Sequence, residues 1–168
     1  QELEDLRTEY AAYDLFMRCT HPNGISYDVV KRMLPLINDE VSTVLANVTD
    51  FDIFFEAEKN KLDIFIKHPK YEARPLEMAS GAEKTLAAIA IRIALTNVST
   101  LPKSDIMIMD EPGTALDAEN LEGFMRVMEM IKGYYKTVLL ITHLDSLKDI
   151  ADMTIDIERQ DGYAFVSQ

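Results

Sequence analysis

The sequence predicts an α/β fold: a mostly parallel sheet with helices, entered through the end of a coiled coil. Two short apolar runs, "IMIM" at Ile106–Met109 and "TVLLI" at Thr137–Ile141, stand on either side of a helix-length stretch. That is the pattern of parallel strands joined by a helical crossover. The third observation is at the start, where Leu3, Leu6, Tyr10, Tyr13 and Met17 recur at alternating spacings of three and four. Such spacing is a heptad seam. Two heptads also suit a plain amphipathic helix. The opening at Gln1, without Met and inside the periodic pattern, favours the coiled coil and is expected of an excised fragment.

Each element then follows in order. The first helix ends at "HPNG", His21–Gly24, a breaker cluster. A second helical stretch runs from about Tyr27 to Asn47, with Pro35 expected as a kink or boundary. "FDIFFEA" and "LDIFIK", separated by "EKNK", read as two strands of a hairpin because aromatic and β-branched residues dominate them. A polar loop over 68–79 leads to "SGAEK". From Thr85 to Thr100 the only charge is Arg92, and Leu86, Ile89, Ala90 and Ile93 share one face, so that helix is mostly buried. Then come the "IMIM" strand, a helix over about 118–132, the "TVLLI" strand and a short helix after Leu144. "MTIDIERQDGYAFV" closes the chain as a hairpin turning at Asp161-Gly162.

Composition narrows the function classes. The 168 residues suffice for a sizeable core, and 48% apolar content is that of a globular chain. A net charge of -12 excludes binding nucleic acid by overall charge. The densest basic patch, Lys59, Lys61, Lys67, His68 and Lys70, reads as a solvated hairpin before a DNA footprint. Cys19 stands alone, so no disulfide or cysteine metal site forms within the chain, and a reducing, cytoplasmic compartment is expected. No apolar run has membrane-spanning length and no signal peptide opens the chain, so no membrane role is expected.

Chemistry concentrates where the first apolar run meets Asp110 and Glu111. Ligands bind at the C-terminal ends of parallel strands, and paired carboxylates at a buried edge call for a compensating cation. A strand ending in Asp-Glu is a Walker B arrangement: Asp110 would hold Mg²⁺ through water, and Glu111 would orient the attacking water. Many strands end in acids, so this signal is weak alone. The second run ends in His143, and an adjacent strand would bring that imidazole to the same edge as a γ-phosphate sensor. A lone histidine is otherwise a core or strand-capping residue. "SGAEK" opens the buried helix. Ser80 and Glu83 fit a capping box, while a Ser-Gly helix start is equally an anion site.

The order of these parts carries a resemblance. "SGAEK", "IMIMDE", "ALD" and a strand ending in His resemble the signature motif, Walker B, D-loop and switch histidine of the ABC-type ATPases, and "DEPGTALD" is close to that superfamily's form. With the coiled-coil end, the Gly24-Ile25 turn, "MLPLINDEVSTVLANV" and the hairpin, the chain resembles the C-terminal head segment of SMC-like ATPases of double-strand-break repair, of the SbcC type. Within that type it resembles the large recombination-endonuclease subunits of T-even-like bacteriophages. The resemblance implies a coiled-coil base over 1–20 and the C-terminal lobe of an ATPase head over 21–168. It implies ATP and Mg²⁺ as cofactors, with Asp110 on the metal and Glu111 and His143 catalytic. Ser80, Gly81, Ala82 and Glu83 would bind the nucleotide of an opposing head in trans, and Asp117 would couple the two sites.

Two departures matter. Ala82 stands where the signature has its second glycine, which restricts close approach slightly. No Gly-x-x-x-x-Gly-Lys occurs, so the phosphate-cradling P-loop is missing. The resemblance accounts for this, because in these proteins the P-loop half lies at the far end of a long coiled coil. Implied partners are that N-terminal P-loop half, a second head, an SbcD-type metallophosphoesterase nuclease and double-stranded DNA. Rival readings are a non-catalytic scaffold that dimerises and docks a nuclease, a transporter ATPase, and a DEAD-type helicase. The intact Asp110, Glu111 and His143 set opposes the first. The coiled-coil entry opposes the second, and Gly113, where a second Asp is needed, opposes the third.

Overall fold

A computed structural model describes residues 1–168 except 47, 59, 60, 113–117, 161 and 168, with backbone alone at 118–120. The predicted Asp117, Lys59, Gly113 and Asp161 therefore lie outside the described residues. The elements are α1 (Glu2–Thr20), α2 (Ile25–Leu45), β1 (Asp52–Glu58), β2 (Lys61–Lys67), β3 (Arg74–Pro75), α3 (Gly81–Val98), β4 (Ile106–Asp110), α4 (Ala118–Lys132), β5 (Thr137–Ile141), β6 (Asp156–Gln160) and β7 (Tyr163–Ser167). Short 3-10 turns occupy Leu76–Met78 and Asp145–Ile150. The chain forms two compact units, one of Gln1–Ala79 with Ala90–Thr100, the other of Ser80–Ile89 with Leu101–Gln168.

In the first unit, α1 buries no residue, and its seam stays open to solvent: Leu3, Leu6, Tyr10, Tyr13 and Met17 are all exposed. A 19-residue helix with such a bare stripe is what a coiled-coil strand looks like without its partner. Gly24 caps α2 and lies against the end of α1. A Cβ there would stand 2.4 Å from the Arg18 carbonyl oxygen and 2.5 Å from that of Cys19, so only glycine permits this close approach. Pro35 sits inside α2 and does not end it. The helix continues past the missing N–H because Leu34, Ile37, Val41, Val44 and Leu45 bury one face at helical spacing.

β1, β2 and β3 form an antiparallel sheet in that order, with Asp52 opposite Lys67 and Glu58 opposite Lys61. These pairings set acids against the lysines of the predicted basic patch, consistent with a solvated hairpin. The β1 edge is closed by α2. Asn38 accepts from the Phe55 N–H at 2.8 Å and donates to the Phe55 carbonyl at 3.0 Å, so its amide replaces a neighbouring strand. Ile53 and Ile66, paired across the sheet, are both fully buried. The expected polar loop after β2 instead contains β3 and a 3-10 turn. Arg74 and Pro75 have too few residues to show a strand period, so sequence gave no sign of them.

In the second unit, β4 and β5 pair in parallel, from Ile106 opposite Thr137 to Asp110 opposite Ile141. Register puts Met107, Met109, Val138 and Leu140 on one face, with the two methionines buried. From α4, Phe124, Val127, Met128 and Ile131 are buried at i, i+3, i+4 and i+7. The other sheet face is not buried, as both faces of parallel strands ordinarily are. Ile106, Ile108, Leu139 and Ile141 are each about half exposed, because among the described residues nothing covers them. β6 and β7 form an antiparallel hairpin exposed along its length, with Gly162 at φ +87° in its turn. The parallel part of the fold is thus a single pair among the described residues. Lys148 ties the 3-10 turn to β6, lying 3.1 Å from Asp145 and 3.3 Å from Asp156, and these carboxylates raise its pKa above the usual lysine value.

The contrast in burial predicts two outcomes in urea unfolding of this chain. Ile53→Ala should cost about 2–5 kcal/mol through the lost side chain and its cavity, whereas Ile108→Thr should stay within about 0.5 kcal/mol of the parent. Equal losses at both positions would contradict the half-covered sheet.

Candidate active site

The C-terminal ends of β4 and β5 assemble the first cluster. Asp110, the last residue of β4, is exposed and lies on the uncovered face with Ile106 and Ile108. Glu111 then departs from the strand with φ +49°, the only non-glycine at positive φ among the described residues. Its N–H donates to the Ile141 carbonyl at 2.8 Å, which extends the ladder by one bond beyond the last paired residues. Pro112 follows, and a residue before proline is held out of the right-handed helical region. Glu111 leaves the extended region that proline favours for the residue before it and turns through left-handed space, a conformation that costs a non-glycine residue on the order of 1 kcal/mol or more.

That turn aims the Glu111 side chain at β5. Its Oε2 lies 2.7 Å from Nδ1 of His143, two residues beyond the strand end. The oxygen itself is shielded from solvent although the Glu111 side chain is 40% exposed and that of His143 67%. The pair therefore sits at a surface where a ligand can reach both groups. The expectation that both carboxylates lie at a buried edge is corrected: Asp110 is solvated, and Glu111 meets an imidazole. The left-handed backbone of Glu111 was missed by sequence reasoning. No sequence signal marked it, because a following proline favours extended backbone.

The second cluster is the start of α3. Ser80 Oγ accepts from the Glu83 N–H at 3.2 Å, and Glu83 Oε2 accepts from the Ser80 N–H at 2.6 Å. This is a reciprocal capping box. Ser80 and Gly81 remain exposed, whereas Ala82 is buried. Backbone N–H groups of the first turn have no acceptor within their own helix, which keeps the anion-binding option open beside the cap. Asp117, expected to join these parts, is not among the described residues.

The donor set suits a cation that brings ligands of its own. Among the described residues no three His, Cys, Asp or Glu side chains form a metal cluster. Mg²⁺ needs no such cage, since one or two carboxylates with waters and phosphate oxygens complete its shell. An exposed Asp110 fits that role. Also among the described residues, no helix is long and apolar enough to cross a membrane.

A parallel pair with an acid pair and a histidine at its C-terminal edge, preceded by a capped helix start, is the arrangement expected of an ABC-type α/β head segment. No family model matches the chain. Similar proteins do. An uncharacterized protein R555 of Acanthamoeba polyphaga mimivirus is 32% identical over 98% of this chain and 13% of its own length. The DNA double-strand break repair Rad50 ATPase of Pyrococcus abyssi is 29% identical over 79% of this chain and 15% of its own. A solved SMC ATPase chain, studied for ATP-driven dimerization and DNA-stimulated activation, superposes with a TM-score of 0.67 at 25% identity, covering 83% of this chain and 87% of that one. The chain belongs to the SMC/Rad50-like ABC-type ATPases as a segment of the head. It spans about a seventh of the length of the curated relatives it matches.

The strained turn makes a stability prediction. Glu111→Val, β-branched at positive φ, should lower stability by about 1–3 kcal/mol, while Glu111→Gly should lose none. Thermal unfolding of the two variants tests this, and equal stability of Val and Gly would remove the left-handed backbone from the account.

Proposed function

We propose that this chain is the C-terminal half of an ATP-hydrolysing head whose ATP-driven dimerisation regulates a nuclease acting on DNA ends. The observation that carries the reading is the 2.7 Å contact between Glu111 and His143 at the ends of paired parallel strands. Such an edge is where α/β sheets bind ligands. In the proposal Asp110 holds Mg²⁺ through water, which neutralises phosphate charge once bound. Glu111 orients the attacking water, and His143 leaves the carboxylate to contact the γ-phosphate. The chemistry is positioning and electrostatics. Ser80 and Gly81 offer the helix start to a nucleotide held by the opposing head, Ala82 and Glu83 support that start by packing and by the cap, and Asp117 couples the two sites.

Two features support an N-terminal P-loop half as a partner. The chain has no Gly-x-x-x-x-Gly-Lys segment. Parallel sheets are covered on both faces, yet Ile106, Ile108, Leu139 and Ile141 leave one face of β4–β5 bare. The open stripe of α1 supports continuation into a coiled coil. A second head, an SbcD-type nuclease, double-stranded DNA and a cytoplasmic setting complete the reading. The non-catalytic scaffold would share the stripe and the bare face but has no use for the Glu111–His143 contact.

A head assembled with its P-loop half tests the roles together. Glu111→Gln should keep ATP binding, lower turnover by about 10²–10⁴-fold, and accumulate ATP-bound dimers by light scattering. Ser80→Arg should keep ATP binding and lose ATP-driven dimers, because its side chain fills the space of the opposing γ-phosphate. If Ser80 is a helix cap alone, the variant loses roughly 1 kcal/mol of stability and still dimerises. Wild-type turnover in Glu111→Gln would remove that residue from catalysis.

A further inference from the structure

His143 is two-thirds exposed, so packing alone does not fix its ring, yet Nδ1 sits 2.7 Å from Glu111. The backbone on either side of it is held. Before it, the Ile141 carbonyl accepts the Glu111 N–H at 2.8 Å. After it, the Leu147 N–H donates to the Leu144 carbonyl at 3.1 Å, and the Leu147 side chain is fully buried. Between these anchors the half-buried Thr142 spans His143: its Oγ1 accepts the Leu144 N–H at 3.1 Å. That bond closes a small ring of main chain with His143 at its apex. The ring restricts the directions in which the imidazole leaves the backbone.

We infer that Thr142 is a positioning residue, whose hydroxyl fixes the His143 backbone so that Nδ1 meets the Glu111 carboxylate. Thr142 faces the turn and acts through His143, so its effect is on how often the imidazole is in place. A hydroxyl suffices for this; the methyl does not. The consequence for turnover rests on the function proposed above, while the placement of the ring does not.

The test compares Thr142→Val, Thr142→Ala and Thr142→Ser in this 168-residue chain by imidazole ¹⁵N NMR, with His143 assigned through His143→Gln. In the parent, the His143 Nδ1 resonance should respond to Glu111→Ala. Thr142→Val and Thr142→Ala should move it the same way, and Thr142→Ser should leave it in place. In the head assembled with the P-loop half, Thr142→Val should lower kcat by about tenfold to a hundredfold, the scale of a misplaced reacting group, with KM for ATP unchanged and Thr142→Ser restoring most of the rate. An unmoved Nδ1 resonance in both Thr142→Val and Thr142→Ala would overturn the inference. Absence of turnover in the parent head would count against the proposed function, and the NMR comparison would still decide the role of Thr142.

Discussion

The parallel pairing of β4 with β5 is the constraint on which the candidate site depends. It is short, five residues on each strand, and its last bond is made by Glu111 after the strand has ended. That bond brings two distant stretches of sequence, the acid pair and the histidine turn, to one edge. Without the register that puts Asp110 opposite Ile141, Glu111 and His143 would be side chains on unrelated loops. A shift by one residue would also exchange the sheet's faces, turning the buried Met107 and Met109 toward solvent.

Each unit leaves apolar surface uncovered among the described residues. A soluble domain rarely leaves a heptad stripe and one face of a parallel sheet uncovered. Within the first unit the stripe of Leu3, Leu6, Tyr10, Tyr13 and Met17 is bare. Within the second, so are the four residues of the β4–β5 outer face and the β6–β7 hairpin, where Ile157 and Val166 stand opposite each other and exposed. Hydrophobic surface on this scale favours burial by association. An acidic chain gains solubility from its charge, which offsets part of that tendency.

Much of this was legible in the residues. The heptad spacing gave α1, the aromatic-rich runs gave the β1–β2 hairpin, and the charge-poor stretch with Leu86, Ile89, Ala90 and Ile93 gave α3 with all four buried. The short apolar runs gave β4 and β5 and their direction. What stayed hidden depends on tertiary context. A run such as "IMIM" reads the same whether its second face is covered by this chain or by another. Pro35 reads as a break until the burial of Ile37 and Val41 shows why the helix continues. The Ser80–Glu83 spacing announced the capping box that forms, but a cap and an anion site share one sequence. The positive φ of Glu111 accompanies its hydrogen bond to the Ile141 carbonyl, a partner distant in sequence that nothing beside Glu111 announces.

The central claim is that this chain carries half of a catalytic head and lacks the phosphate cradle. It is tested most directly by measuring Mg²⁺-dependent ATP turnover by the pure chain, and again after mixing with the P-loop half. The account predicts no turnover alone and restored turnover in the mixture. Substantial Mg²⁺-dependent hydrolysis by the chain alone would contradict it.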